Sequence, residues 1–468
     1  MEGITVNDLV TASRGTLLWG DGNAAVTGIA IDSRKVKPGD LFVPLIGEHT
    51  DAHNYIEEVF VKRGAQAVLS SRPLKASWTI AAADDKAIIQ VDDTKDALQA
   101  IGSYYRNRLT LPLVGVTGSV GKTTTREMIA AALSAGYRVY KTPGNHNSQV
   151  GVPMTLTEIG GQDQAGVIEL GMSEPGELTV IARIARIDMA VITNIGVAHI
   201  EQLGSKEKIL QEKLTIQDGL KTGGILFLNG DDPLLKRVAA KEGCGTVYYG
   251  TGENSWYRAE EIRLENGYPR FTAVCGNSRI SVGLHILGAH QVLNAMAALA
   301  VADHMHVPLE AAARQLELFE GVKNRQQIYY LRNQMVMIDD TYNASPVSVN
   351  GAVDILASRQ DAGRRIAVLA DMKELGAEAE RYHRQVGEYL GKKPVDLLIV
   401  YGELAKEIKT GALQSNSDLE TFSFSEGQKE ELKQWLLDNL QPKDCILLKG
   451  SNSMKLGEVA EYVRQRYH

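Results

Sequence analysis

Residues 115–125 read GVTGSVGKTTT, with glycines at 115, 118 and 121 and a Lys-Thr pair at 122 and 123. Glycines let a backbone approach phosphate closely, and the N–H groups at a helix start point at the anion. Lys122 can reach the β- and γ-phosphates of a nucleotide, and the Thr123 hydroxyl can face a magnesium ion. Such a loop functions only between a strand and a helix. The apolar run LPLVGV before it and REMIAAALSA after it supply both. A glycine-rich turn without ligand is the bland alternative, and the GKTTT run in this context favours nucleotide.

Other chemistry-bearing residues follow apolar runs in the same way. AGVI ends in Glu169, and MAVIT is followed by Asn194 and His199. Ligands of a parallel sheet gather at strand carboxyl ends, so Glu169 and His199 are expected on the same edge as the P-loop. Mg²⁺ suits a site of one carboxylate, a hydroxyl, phosphate oxygens and waters, whereas imidazole prefers softer metals. By residue type alone, Glu169 fits an ion pair equally well, and His199 a capped turn. Gly144, Asn145 and Asn147 follow the strand-like RVYKT. Ser33 and Arg34 could hold an anion, or form a capped turn with a surface ion pair. Asn294 lies near the start of a helical run with His290 and Gln291; it could read an adenine edge or face solvent. Lys213, on the amphipathic helical stretch 205–220, reads locally as a solvated lysine.

These residues need a scaffold of several units, and the 468-residue length suggests about three domains. Hydrophobic content of 44% with 23% charged residues is ordinary for a globular protein and excludes a disordered chain. The net charge of −7 argues against a nucleic-acid partner. No apolar run is long enough for a membrane helix, and the opening MEGITVNDLV has no signal-peptide pattern. The three cysteines are scattered without metal-ligand spacing, so reduced thiols in a cytoplasmic protein are expected.

Strand-like runs alternating with helical ones predict an α/β fold in three domains, 1–108, 109–322 and 323–468. In the first, VTGIAID, DLFVPLI and AQAVLS read as strands and KDALQAIGSYYRNR as a helix. The second has a mostly parallel sheet around the P-loop, with an antiparallel edge from 258 to 287, where polar and apolar residues alternate. The third, Rossmann-like, contains VMIDD, RIAVLA, DLLIVYG and CILLKG as strands. It lacks a GxGxxG fingerprint, so closing over the central site is its expected role rather than binding a dinucleotide alone.

Taken together, DSR…PGDLF and GE..D.H, TGSVGKTTT, TPGNHN…GVP, ELGM..PGE, NIG.AHIE..GS…K, G.H…NA.AA, DDTYNASP.S, M.ELG and KGS.SM resemble the Mur ligase family, in order and over nearly the whole chain. The set is most similar to the branch that adds D-alanyl-D-alanine to UDP-N-acetylmuramoyl tripeptide. That resemblance implies ATP-dependent amide formation through an acyl phosphate, in a cytoplasmic enzyme acting as a monomer. It implies that Gly118, Ser119, Gly121, Lys122, Thr123 and Thr124 bind ATP, with Arg325 near its phosphates and Asn294 and Asp340 on the adenine and ribose. Thr123, Glu169 and His199 would hold Mg²⁺, two ions in all. Lys213, fourteen positions after His199, would be carbamylated and so act as a carboxylate-like metal ligand. Lys122, Lys213 and His199 would serve catalysis. Ser33 and Arg34 would meet the UDP end, while Asn145, Asn147, Tyr342, Asn343 and Lys449 would line the substrate cleft. Val120, Gln291, Ala52, Ala370 and Asn452 depart from the family's usual residues. None removes a phosphate or metal ligand, but Ala52 and Asn452 bear on substrate specificity. A paralogue joining a different amine, a nucleotide-dependent switch ATPase and a silent scaffold are the competing readings.

Overall fold

The central sheet of the computed structural model, which describes residues 1–83 and 85–467, has nine strands. The P-loop strand Leu113–Thr117 lies inside it, buried along its whole length, as a parallel strand covered on both faces must be. Ala165–Glu169 pairs with it on one side and Met189–Ile192 on the other, both parallel. Glu169 therefore stands beside Val116, and Ile192 beside Thr117, so three strand ends open onto one edge. Val139–Lys141 flanks Ala165–Glu169, while Ile225–Asn229, Gly245–Gly250 and Tyr257–Glu265 continue the sheet in parallel beyond Met189–Ile192. Tyr268–Cys275 and Ser278–Gly283 complete it as the expected antiparallel edge.

Helices Lys122–Leu133 and Gln291–His304 pack together in the core on one face of this sheet. The second is apolar nearly all round, which suits a helix enclosed by protein rather than one facing water. The stretch 205–220 does not form one continuous helix. The α-helix covers Lys206–Leu214 and tightens into a 3-10 turn over Thr215–Gly219. Thr215 Oγ1 there bonds back to the Glu212 carbonyl at 2.7 Å, and Gly219 packs so closely that a Cβ would fall 1.8 Å from the Ala182 carbonyl oxygen.

The amino-terminal sheet has five strands in the order Thr16–Trp19, Ala87–Gln90, Ala67–Ser70, Asp40–Phe42, Gly28–Ala30, antiparallel only at the first pair. The helix Thr94–Arg108 joins it to the central unit. Ala97, Leu98 and Ile101 belong to the amino-terminal core. On its way out, the helix buries Arg106 against the other unit: the guanidinium donates to the carbonyls of Ala185 at 2.8 Å and of Leu109 and Arg186 at 2.9 Å.

The carboxyl-terminal sheet has six strands in the order Gln327–Tyr330, Val336–Asp340, Cys445–Lys449, Arg365–Ala370, Leu397–Tyr401, Glu420–Phe424. Only its first pair is antiparallel. The three-part mixed α/β reading thus holds. The edge strands Gln327–Tyr330 and Glu420–Phe424 add to those read from the apolar runs.

Candidate active site

Two glycines in the P-loop adopt positive φ, Gly118 at 150° and Gly121 at 86°. Gly118 has no room for a side chain, since a Cβ there would lie 1.9 Å from Thr193 Oγ1. Asn194 fastens the loop from the neighbouring strand end. Its Oδ1 accepts from Val120 N–H at 3.0 Å and its Nδ2 donates to the Val120 carbonyl at 2.9 Å. Ser119 Oγ accepts from Gly196 N–H at 2.8 Å. Lys122 Nζ folds back onto the Gly118 carbonyl at 2.9 Å. Burial pushes its pKa down and Arg325 adds to this, while Glu169 opposes it.

Glu169 is the hub below the loop. Its Oε2 accepts from Thr123 Oγ1 at 2.8 Å and from Arg126 Nη1 at 3.1 Å, and its Oε1 accepts from Asn147 Nδ2 at 2.7 Å. Arg126 Nη1 also donates to the Gly144 carbonyl at 3.0 Å, tying the loop of Asn145 and Asn147 to the P-loop helix. Asn145 itself is exposed.

Lys213 is only 1% exposed and makes no ion pair among the described residues. Burial, followed by the nearby charge of Lys122, drives its pKa well below that of an ordinary lysine. The local sequence reading of a solvated side chain is therefore overturned: the amine is enclosed. Asn294 lies under the P-loop with both amide ends engaged. It accepts from Thr125 Oγ1 at 3.0 Å and donates to Gln291 Oε1 at 2.8 Å.

The carboxyl-terminal unit faces these groups across a cleft of about 1040 Å³. Arg325 Nη2 reaches Thr123 Oγ1, and its guanidinium lies over the Tyr342 ring. Lys449 Nζ pairs with Asp340 Oδ2 at 2.7 Å and donates to the Asn343 carbonyl at 2.9 Å. His199 Nδ1 lies 2.6 Å from Glu374 Oε2, although the two are not aligned as a hydrogen bond. The His199 contact, helped by the charge of Lys122 and opposed by burial, holds the Glu374 carboxyl below its ordinary pKa.

Three family models match the chain in succession: "Mur ligase family, catalytic domain" over 25–106, "Mur ligase middle domain" over 116–302, and "Mur ligase, glutamate ligase domain" over 324–452. The UDP-N-acetylmuramoyl-tripeptide–D-alanyl-D-alanine ligase of Bacillus subtilis (strain 168) is 36% identical over 98% of this chain and 97% of its own. The chain belongs to the Mur ligase family. The ligase of the same name from Escherichia coli (strain K12) is 32% identical over 99% of both chains. A crystal structure of MurF from Acinetobacter baumannii superposes with a TM-score of 0.88 at 30% identity, covering 98% of each chain. MurF from Thermotoga maritima in complex with ADP gives 0.81 at 27% identity, covering 94% of this chain and 97% of that one.

Within this Mur ligase, Ser119, Gly121, Lys122, Thr123 and Thr124 line the cleft together with Asn147, Glu169, His199 and Asn294. Arg325, Asp340, Tyr342, Asn343 and Lys449 line it from the other side. Gly118, Asn145 and Lys213 lie outside that lining. Ser33 and Arg34 are in the amino-terminal unit, where Asp32 caps their 3-10 turn and pairs with the Arg34 guanidinium at 2.8 Å. Among the departures, Asn452 and Gln291 line the cleft, while Ala52 begins the Ala52–Tyr55 turn. Two residues were missed from sequence. Arg126 is a charge on the inward face of the P-loop helix, and Glu374 lies inside the quoted M.ELG segment. Magnesium fits the Thr123–Glu169 pair, because hard oxygen donors meet there beside the phosphate loop. No cluster of three His, Cys, Asp or Glu side chains suited to a metal occurs among the described residues.

Proposed function

We propose that this chain is an ATP-dependent ligase that adds D-alanyl-D-alanine to UDP-N-acetylmuramoyl tripeptide, an amide-forming step of peptidoglycan precursor synthesis. One observation carries the reading. The P-loop lysine, Thr123 and buried Glu169 face Arg325, Asp340 and Lys449 across one cleft, in a chain matched end to end by ligases of that activity.

The substrate carboxylate attacks the γ-phosphorus of ATP, the bond to ADP breaks, and an acyl phosphate forms. The dipeptide amine then attacks the acyl carbon and phosphate leaves. Driving a carboxylate onto a triphosphate requires cations near both. Lys122, released from the Gly118 carbonyl, and Arg325, from above Thr123, supply charge to the phosphates. Mg²⁺, held by Thr123 and Glu169, would neutralise phosphate charge and orient the oxygens. Carbamylation of the enclosed Lys213 amine would supply a further carboxylate-like ligand alongside His199. The P-loop glycines, Ser119 and Thr124 offer backbone and hydroxyl donors to the phosphates, and Asn294 and Asp340 serve the nucleoside. Asn145, Asn147, Tyr342, Asn343 and Lys449 are assigned to the peptide and amine substrates. Ser33 and the exposed Arg34 are assigned to the UDP end. Closure of the carboxyl-terminal unit would shield the acyl phosphate from water.

We assign the reaction to the cytoplasm and to a monomer. No helix among the described residues is long and apolar enough to cross a membrane. The test is phosphate release with ATP, Mg²⁺ and UDP-N-acetylmuramoyl tripeptide, with and without D-alanyl-D-alanine. Release that depends on both substrates, with a UDP-linked pentapeptide in the mass spectrum, is expected. Hydrolysis independent of either would overturn the reading.

A further inference from the structure

The loop that carries His199 is clamped by the carboxyl-terminal unit. Val197 is buried in that unit's hydrophobic core together with Met372 and Leu375, and Ile200 packs against the same cluster. The Glu201 N–H reaches the Glu374 carbonyl at 3.4 Å. Gly376, at φ 61°, sits so close that a Cβ would lie 3.3 Å from Glu201 Cα. The opposing segment is itself fixed, because the Met372 N–H donates to His383 Nε2 at 2.9 Å and the Lys373 N–H to Ser451 Oγ at 2.8 Å. At the centre of this contact, His199 and Glu374 both occupy left-handed backbone, at φ 62° and 65°, which non-glycine residues hold only when the surroundings impose it. The side chains so presented meet at 2.6 Å, Nδ1 to Oε2.

We propose that Glu374 is a positioning residue that orients the His199 imidazole for the metal, so that this ligand is set only when the carboxyl-terminal unit is docked. A metal-bound histidine ordinarily gives its other ring N–H to a carboxylate, which fixes the tautomer and raises the basicity of the free nitrogen. That gain matters here, since imidazole is otherwise a poor partner for magnesium. A turn of the imidazole that aligned Nδ1–H with Glu374, already 2.6 Å away, would leave the Nε2 lone pair for the ion. The proposal rests on His199 facing the metal, and the experiment separates the two ideas.

Mn²⁺ binding to the full-length protein with a non-hydrolysable ATP analogue is measured by electron paramagnetic resonance for wild type, His199→Asn, Glu374→Ala and Glu374→Gln. Asn tolerates the left-handed backbone of position 199. His199→Asn and Glu374→Ala are each expected to weaken Mn²⁺ by about tenfold or more, with kcat falling further than the KM for ATP changes. Glu374→Gln keeps an acceptor for Nδ1–H and is expected to restore most of both. Unchanged Mn²⁺ affinity in His199→Asn would remove the metal-facing role and the proposal with it. Loss in His199→Asn but not in Glu374→Ala would overturn the proposal alone. A Glu374→Gln protein as impaired as Glu374→Ala would also overturn it, because charge or proton transfer rather than orientation would then be at work.

Discussion

Arg325 Nη2 donates a 2.9 Å hydrogen bond to Thr123 Oγ1, across 202 positions of sequence. Its guanidinium carbon lies 4.1 Å from the centre of the Tyr342 ring. The P-loop threonine is thus bonded to Glu169 on its own unit and to an arginine of the opposing one. Lysine at 325 keeps the charge but loses the planar stack and the fork of donors. Arg325→Lys is expected to weaken ATP by roughly tenfold, the scale of a well-formed cation–π contact, since lysine keeps the charge. Equilibrium binding of a fluorescent ATP analogue checks this, and unchanged affinity would show that the stack contributes nothing.

Lys213 yields a prediction of a different kind. Its buried amine, with a pKa held well below that of an ordinary lysine, is expected to act as a nucleophile for CO₂. Activity is expected to drop in rigorously CO₂-free buffer and to return when bicarbonate is added. Lys213→Arg, which cannot form the carbamate, should be inactive in both. A wild-type rate indifferent to bicarbonate depletion, with no carbamate in the carbon-13 spectrum, would refute the modification.

Asp339 governs a pH effect on stability. Burial, reinforced by the adjacent Asp340, raises its pKa, against the hydrogen bonds from Thr341. The folded state therefore binds more protons than the unfolded one between the ordinary carboxylate pKa and the raised value. The associated stability is complete below the ordinary pKa and is lost as pH rises through the raised one. Asp339→Asn cannot ionise and keeps an acceptor for Thr341. It is expected to be more stable than wild type at neutral pH, with the difference closing below about pH 4. Urea unfolding at several pH values measures the gap.

Lys449 and Asp340 form a pair in which both side chains are nearly inaccessible, 3% and 9% exposed. Lys449→Met leaves a buried carboxylate without its cation, at a cost of about 3–5 kcal/mol. Adding Asp340→Asn is expected to recover much of that loss. Additive losses in the double variant would show that the two groups are energetically independent.

Much of this was legible because strand ends are legible. Glu169 and Asn194 follow apolar runs, and a parallel sheet brings such ends to one edge. The strands Gln327–Tyr330 and Glu420–Phe424 were not, since each lies at a sheet edge, half-buried or exposed, and lacks the apolar run of an interior strand. Arg126 was hidden for another reason: its carboxylate partner lies 43 residues away, and only the fold reveals the pairing. Lys213 misled, because a lysine on a helix carries no local mark of enclosure. Asn294 offered an amide suited to adenine, and the structure gives both its ends to Thr125 and Gln291.

The helix Thr94–Arg108 belongs to two cores at once, with Leu98 and Ile101 in one and Arg106 capping the carbonyls of Ala185 and Arg186 in the other. A break at 108 would strand the Arg106 guanidinium on one fragment and leave those carbonyls bare on the other, while Asp188 would keep Lys221 and the Leu113 N–H. The amino-terminal unit is therefore not a cassette. Recombination between related chains is therefore expected to tolerate a junction at 108 only where the incoming central unit offers Arg106 the same carbonyls and carboxylate.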